Sequence, residues 1–152
     1  MPQDRSALYF RRYHSSDRAS VISGCYGGNL PPHLLSLLNN QGSPAPHSPH
    51  HAMVHILGIF DQQVVASGFL FKTPAYAEIA DLFVVPPYRN QGIGRSLIRY
   101  LEEIAHQAGW RPIELTVLED NRDALRLYKR LGFVEKSQFQ TDGNRVLLMS
   151  KA

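Results

Sequence analysis

The stretch from Glu78 to Arg95, EIADLFVVPPYRNQGIGR, decides the fold. Residues Ala77–Val85 read as a strand that is apolar on both faces, which places it centrally in a sheet. Pro86 and Pro87 turn the chain. Gly92 and Gly94 then open a helix, Gly92–Ala108, in which Ile93, Leu97, Leu101, Ile104 and Ala108 recur at helical spacing. Gly109 ends it. The run Arg89-Asn90-Gln91-Gly92-Ile93-Gly94-Arg95 therefore stands at a helix N-terminus. N–H groups there have no intrahelical acceptor and lie at the positive end of the helix dipole. Such a turn binds phosphate. The two glycines let backbone approach a bulky anion. Arg89 adds a charge suited to a bidentate contact. The turn implies a ligand that carries a pyrophosphate.

Upstream, Ala7–Tyr13 reads as a short aromatic strand. Ser15-Ser16-Asp17 caps a short helix, Arg18–Cys25. Tyr26-Gly27-Gly28-Asn29 breaks it, and Pro31-Pro32 starts a second helix with Leu34, Leu35, Leu37 and Leu38 on its apolar side. Gln41–His51 reads as a loop, because its prolines and glycine forbid regular structure. Met53–Phe60 and Val64–Phe71 form a hairpin across Asp61-Gln62-Gln63. Downstream, Ile113–Leu118 is a strand. Asp120 or Asn121 caps a helix that carries Ala124, Leu125, Tyr128 and Leu131 and closes at Gly132. Phe133–Phe139 and Arg145–Met149 are final strands around Thr141-Asp142-Gly143-Asn144. The order is strand, two helices, three strands, helix, strand, helix, two strands. It predicts a mixed α/β sheet in one domain, residues 1–152, with no repeat.

Composition narrows the function classes. The 152 residues are 43% hydrophobic and 19% charged, which suits a globular chain with a core. The formal charge of +3 is small and no basic run exists, so nucleic acid is not expected as a partner. Cys25 is the only cysteine, which excludes an internal disulfide or a Cys-based metal site and leaves a packed thiol or a catalytic one. The first residues, MPQDRSALYF, lack an apolar signal core, and no apolar run reaches membrane length. A cytoplasmic protein with no membrane partner is expected. His47, His50, His51 and His55 invite a metal reading, but three of them sit among prolines without fixed geometry, so no metal is expected. The turn lacks the third glycine of a dinucleotide fingerprint after Gly92 and Gly94. A purely structural turn leaves Arg89 and the residues from Asn121 to Tyr128 unexplained.

With these elements in order, the chain resembles the GNAT family of N-acetyltransferases. The family pattern Gln/Arg-x-x-Gly-x-Gly/Ala stands here as Arg89-x-x-Gly92-x-Gly94, after a signature strand Asp81-Leu82-Phe83-Val84-Val85-Pro86. A second family motif stands as Asn121 to Phe133, NRDALRLYKRLGF. The resemblance runs from Leu8 to Met149 and departs at the loop 41–51. It implies the GNAT fold, a mixed, mostly antiparallel sheet of about six to seven strands flanked by about four helices. It implies acetyl-CoA as cofactor and transfer of acetyl to a primary amine of a small molecule or protein, by direct attack in a ternary complex. Homodimers occur in the family. The competing class is a non-catalytic acyl-CoA-binding module on the same fold.

The resemblance also assigns residues. The pyrophosphate falls to the amides of Asn90, Gln91, Gly92, Ile93, Gly94 and Arg95, with Arg89 and Asn121 as further cofactor contacts. The pantetheine arm pairs with Phe83 and Val84 backbone where the central strand splays from its neighbour. The Val84 N–H serves the oxyanion. Tyr128, seven residues after Asn121, protonates the leaving sulfur. The base is left open among Glu78, Asp81 and a water relay. Strict alternation puts Glu78 on the face of Ala80 and Leu82 and Asp81 on the opposite one; only a bulge brings both carboxylates to the acceptor. Tyr26–Asn29 falls where the family has its acceptor wall. Few acidic residues lie in the first fifty, which argues against a polycationic acceptor.

Overall fold

In the computed structural model, residues 7–39 and 52–152 are described. Seven strands form one sheet in the order β1-β2-β3-β4-β5-β7-β6. They are β1 (Tyr9–Arg12), β2 (Ala52–Phe60), β3 (Gln63–Lys72), β4 (Ala77–Val84), β5 (Ile113–Leu118), β6 (Val134–Thr141) and β7 (Asn144–Lys151). Every pairing is antiparallel except β4 with β5. The helices are α1 (Arg18–Ser20), α2 (Pro32–Asn39), α3 (Ile93–Gln107) and α4 (Arg122–Arg130). The expected fold class and element order are both present. The loop reading at 41–51, with His47, His50 and His51, lies outside the described residues.

The segment after β1 is one helical run in three pieces: a 3-10 turn at Ser15–Asp17, α1, and a π turn at Val21–Cys25. Asp17 fixes its start. Its carboxylate accepts two hydrogen bonds from Arg11 at 2.7 and 2.8 Å and one from the His14 N–H at 2.8 Å. The Arg11 hydrogen bonds hold the Asp17 carboxyl below its usual range against the opposing effect of burial. The hairpin of β2 and β3 turns on two residues, Asp61 and Gln62, both with φ near +50 to +60° as a two-residue hairpin requires. Gln63 belongs to β3 and not to the turn.

Two layers cover the sheet. On one face α3 and α4 pack over a core that includes Ile56, Leu70, Ile79, Leu97, Leu101, Leu115, Phe133 and Met149. On the other, the π turn and α2 cover Leu57, Phe69 and Phe71. In α3 the buried stripe continues through Ile98 and Ala105, while Ala108 is exposed. A period of 3.6 drifts away from strict four-residue spacing, which carries Ala108 off the face. Likewise only Leu34 and Leu38 of α2 are fully buried, and Leu35 is exposed.

The sequence expectation fails at one register. Phe69 stands opposite Ala80 and Ser67 opposite Phe83, so Gly68 alone faces both Asp81 and Leu82. This is a β-bulge, and Asp81 sits in it at φ +52°. The extra residue inverts the alternation. Leu82 therefore turns to the α3 face and Asp81 to the face of Glu78 and Ala80, the reverse of the strict alternation read from sequence.

Gly68 makes the bulge fit. A Cβ there would lie 2.9 Å from Leu82 Cδ2, 3.1 Å from Leu97 Cδ2 and 3.3 Å from Leu101 Cδ1. Gly68→Val is expected to destabilise the fold by about 1–3 kcal/mol through overpacking. Thermal unfolding checks this, and an unchanged midpoint would show that α3 does not press on the bulge.

His55 is a core residue, not a solvated one. It stacks on Phe69 at 3.9 Å and on Tyr13 at 4.7 Å, and its Nε2 lies 2.6 Å from Ser67 Oγ. Burial lowers its pKa to about 3. The folded ring is thus neutral where the unfolded ring, near 6.5, takes a proton. Its contribution to stability is present above about pH 6.5 and is lost as pH falls toward 3, at up to about 1.4 kcal/mol per unit. Urea unfolding between pH 7 and 4.5 should show this slope, and His55→Gln should flatten it. Parallel slopes in the two proteins would assign the acid sensitivity elsewhere.

Candidate active site

The site is built where β4 and β5 part. The two parallel strands pair only at Ala77 with Ile113 and Glu78 with Glu114. Beyond that point β4 keeps its partner β3 but, among the described residues, has no strand on its other side. Val85 N–H bonds to the Val65 carbonyl at 2.9 Å, on the β3 side. Successive residues of a strand face opposite ways. The N–H and C=O of Val84 therefore face the open edge.

Both strands run into helices at this end. After β4 comes a 3-10 turn, Pro86–Tyr88, then Asn90 at φ +61° and Gly92 at φ +84°. Gly92 is the N-cap of α3. The first intrahelical bond is Ser96 N–H to the Gly92 carbonyl at 3.1 Å. The N–H groups of Ile93, Gly94 and Arg95, one turn ahead, have no intrahelical acceptor. Ile93 is buried, so it offers this turn only its backbone. A Cβ on Gly94 would meet only Val84 Cγ2, at 3.8 Å, which leaves the approach to these amides clear. After β5, Asn121 caps α4, its side chain accepting from Ala124 N–H at 3.3 Å. The N-termini of α3 and α4 thus lie at the carboxyl ends of two adjacent parallel strands, the usual place for a ligand in such sheets.

The named cofactor residues gather here with one difference. Arg89 does not reach toward the amides. Its Nε donates to the Val84 carbonyl at 2.8 Å, and its guanidinium lies 5.2 Å from the Phe83 ring centre. Gln91 Nε2 donates back to the Pro87 carbonyl at 3.1 Å, which stiffens the turn.

Tyr128 lies on α4, half-buried against the same core as Val84, with its ring edge-on to Phe133 at 6.2 Å. Burial raises its pKa, so it is a phenol at neutral pH. Cys25 is buried and its thiol is pushed up to about 11, which keeps it protonated and unsuited to nucleophilic attack.

The opposite face of the splay is acidic. The bulge brings Asp81 beside Glu78, and Glu114 stands next to Glu78 across the parallel pair. Burial raises the Glu78 pKa, and the charges of Asp81 and Glu114 raise it further. Glu114 is itself buried and accepts from Lys136 at 2.9 Å. Tyr26 packs against Phe83 with ring centres 4.8 Å apart and the planes tilted by 33°. From α2, His33 Nε2 lies 3.0 Å from Asp81 Oδ1. Neither His33 nor Glu114 stands out in the sequence. His33 reads there as the first turn of a helix, and Glu114 as one polar residue in an alternating strand.

Among the described residues no group of three or more His, Cys, Asp or Glu side chains is arranged to hold a metal ion. No described helix is long and apolar enough to cross a membrane.

Comparison with known proteins agrees with this geometry. An N-acetyltransferase of Methanocaldococcus jannaschii, itself uncharacterized, is 48% identical over 60 residues, 40% of this chain and 26% of that protein. The thialysine N-epsilon-acetyltransferase of Mus musculus is 43% identical over 54 residues, 36% of this chain and 32% of the relative. The chain thus aligns with only about a quarter to a third of these curated relatives. The crystal structure of the ribosomal-protein-S18-alanine N-acetyltransferase from Escherichia coli superposes with a TM-score of 0.75 at 20% identity, covering 94% of this chain and 92% of that one. The family model for the acetyltransferase (GNAT) family matches residues 21–133, from the start of the π turn to the end of the α4 motif. The match spans well over half of the chain and holds both the Arg89–Gly94 turn and the splayed strands: the chain belongs to the GNAT acetyltransferase family.

Proposed function

We propose that this chain is an acetyl-CoA-dependent N-acetyltransferase that acts on a primary amine by direct attack in a ternary complex, within a single catalytic domain. The observation that carries this reading is the free β4 edge at Val84, set between the N-termini of α3 and α4. Bound acetyl-CoA supplies an acyl carbon already activated as a thioester. The residues present fit it. The amides of Gly92 to Arg95 suit its diphosphate, and the clear space before Gly94 admits it. Asn90, Gln91 and Asn121 flank that seat. Phe83 and Val84 backbone suits the amide-bearing arm as an added strand. Arg89 must leave the Val84 carbonyl when the arm takes that acceptor, and its freed charge then serves the diphosphate.

The acceptor enters from the α2 face, opposite α3. An alkyl ammonium has a pKa near 10.4, so its free amine costs about 4–5 kcal/mol at neutral pH. The carboxylates of Glu78, Asp81 and Glu114 draw the cation in, and its proton is lost on this face. The Val84 N–H is placed to donate to the oxygen that gains charge. The Tyr128 O–H is the donor for the sulfur. These carboxylates come from β4 and β5 and not from the first fifty residues. Their convergence supports a cationic acceptor, against the inference drawn from the N-terminal third. The amine acceptors named for the mouse relative and the Escherichia coli neighbour are of the same chemical kind.

Two measurements test the function. Acetyl-CoA should raise the melting temperature, and a panel of amines should include at least one that releases free thiol. Stabilisation with no thiol release from any amine would return the chain to a binding module. No stabilisation would remove the cofactor assignment.

A further inference from the structure

We propose that His33 is the base that takes the acceptor's proton and that Asp81 is the carboxylate that orients it, an assignment that rests on the acetyl-transfer reading. The pair spans 48 residues of sequence and two elements, yet closes at 3.0 Å. Each partner is held in place. Asp81 is turned to this face by a bulge at φ +52°, a conformation that is strained for a non-glycine residue and persists only where the fold imposes it. His33 is followed at once by Leu34, which is buried with Phe69 and Phe71 and so pins the first turn of α2 to the sheet.

The chemistry follows from the atoms. An ionised carboxylate only accepts, so Nε2 of the neutral ring must carry the hydrogen that Asp81 receives. Nδ1 then holds a lone pair, and His33 has no second hydrogen bond among the described residues. This is the logic of a base whose tautomer is fixed from behind by an acid, with the two ring nitrogens exchanging their usual parts. The His33 side chain is 61% exposed and that of Asp81 28%, so the ring stands at the border between the acidic face and solvent, where an amine arrives. The charged group against it is Asp81 of β4; Asp81 acts on Glu78, which pairs in register with Glu114 of β5, itself bonded to Lys136. Asp81 can keep its hydrogen bond from Nε2 when Nδ1 takes a proton, since both ring nitrogens then donate. Glu78 is then the anchor for the ammonium before it is deprotonated.

The step balances. A nitrogen–hydrogen bond of the acceptor ammonium breaks and its proton joins His33 Nδ1. The freed pair forms the carbon–nitrogen bond to the thioester carbonyl carbon, and a second nitrogen–hydrogen bond breaks as the neutral amide forms, its proton passing to solvent. The carbon–sulfur bond breaks with its pair on sulfur, which takes the Tyr128 proton. His33 and Tyr128 return to their starting states by exchange with solvent, for one net proton released per turnover.

The test uses the full chain with the best amine of the panel. His33→Ala should lower kcat/KM about a hundredfold, leave stabilisation by acetyl-CoA unchanged, and recover rate when imidazole is added. Tyr128→Phe should show no such recovery. Without any ligand, nitrogen-15 NMR should place the His33 hydrogen on Nε2 in the unsubstituted protein. Activity of His33→Ala within about threefold of the parent, a loss that imidazole does not restore, or a hydrogen on Nδ1 would each overturn the assignment. A parent protein that is inactive with every amine defeats the acetyl-transfer reading itself. An active parent with an unaffected His33→Ala defeats only the role of His33.

Discussion

Tyr128→Phe is expected to lower turnover of acetyl transfer ten- to a thousandfold while leaving affinity for acetyl-CoA unchanged. The substitution removes one oxygen and little else. The Tyr128 hydroxyl makes no hydrogen bond within the described residues, so its loss orphans no partner. The ring keeps its edge contact with Phe133 and its place against the core. Melting temperature should therefore hold, and any change in rate belongs to the chemistry. A departing thiolate, whose parent thiol ionises near about pH 8.5, is stabilised by a donor that is still protonated at neutral pH. Burial, which raises the tyrosine, ensures that state. Steady-state kinetics beside a binding titration checks this, and an unchanged kcat would take Tyr128 out of the mechanism.

Gly94→Glu is expected to weaken acetyl-CoA binding by roughly a hundredfold or more, about 3 kcal/mol. Gly94 is not in the left-handed region, and its Cβ would make only an ordinary contact with Val84. The fold has room for the side chain. A carboxylate in the first turn of α3 even complements the helix dipole, so the ligand-free protein should melt at the same temperature or slightly higher. The same charge competes for the amides that are to hold a diphosphate and repels it. The two effects have opposite signs, which makes the variant diagnostic. Retained stabilisation by acetyl-CoA would show that the diphosphate sits elsewhere.

The order of elements, the turn that opens α3 at Gly92 and the cap at Asn121 were legible because each is written locally. A glycine at φ +84°, a proline pair after a strand and an asparagine three residues before the amide it caps need no distant partner to be read. The apolar period of α3 is local too, and only its drift past Ala105 escaped. The site on the acceptor face was not legible in this way. Which way Asp81 and Leu82 point depends on whether a strand keeps its count, and one added residue inverts every side chain after it. The sequence states the condition, that both carboxylates meet the acceptor only through a bulge. It does not state that Gly68, fourteen positions before Leu82, leaves the space that lets the bulge form.

By itself, then, the sequence determined the α/β class, the helix N-terminus that opens at Gly92 and the family, since caps, glycines and periodicities act over a few residues. The tertiary structure alone decided that β4 and β5 part after two pairs, that Glu114 joins Glu78, that Arg89 turns to the Val84 carbonyl, and that His33 meets Asp81. Each of these is a contact between segments far apart in the chain. Its partners are set by register and packing, which leave no local periodic trace.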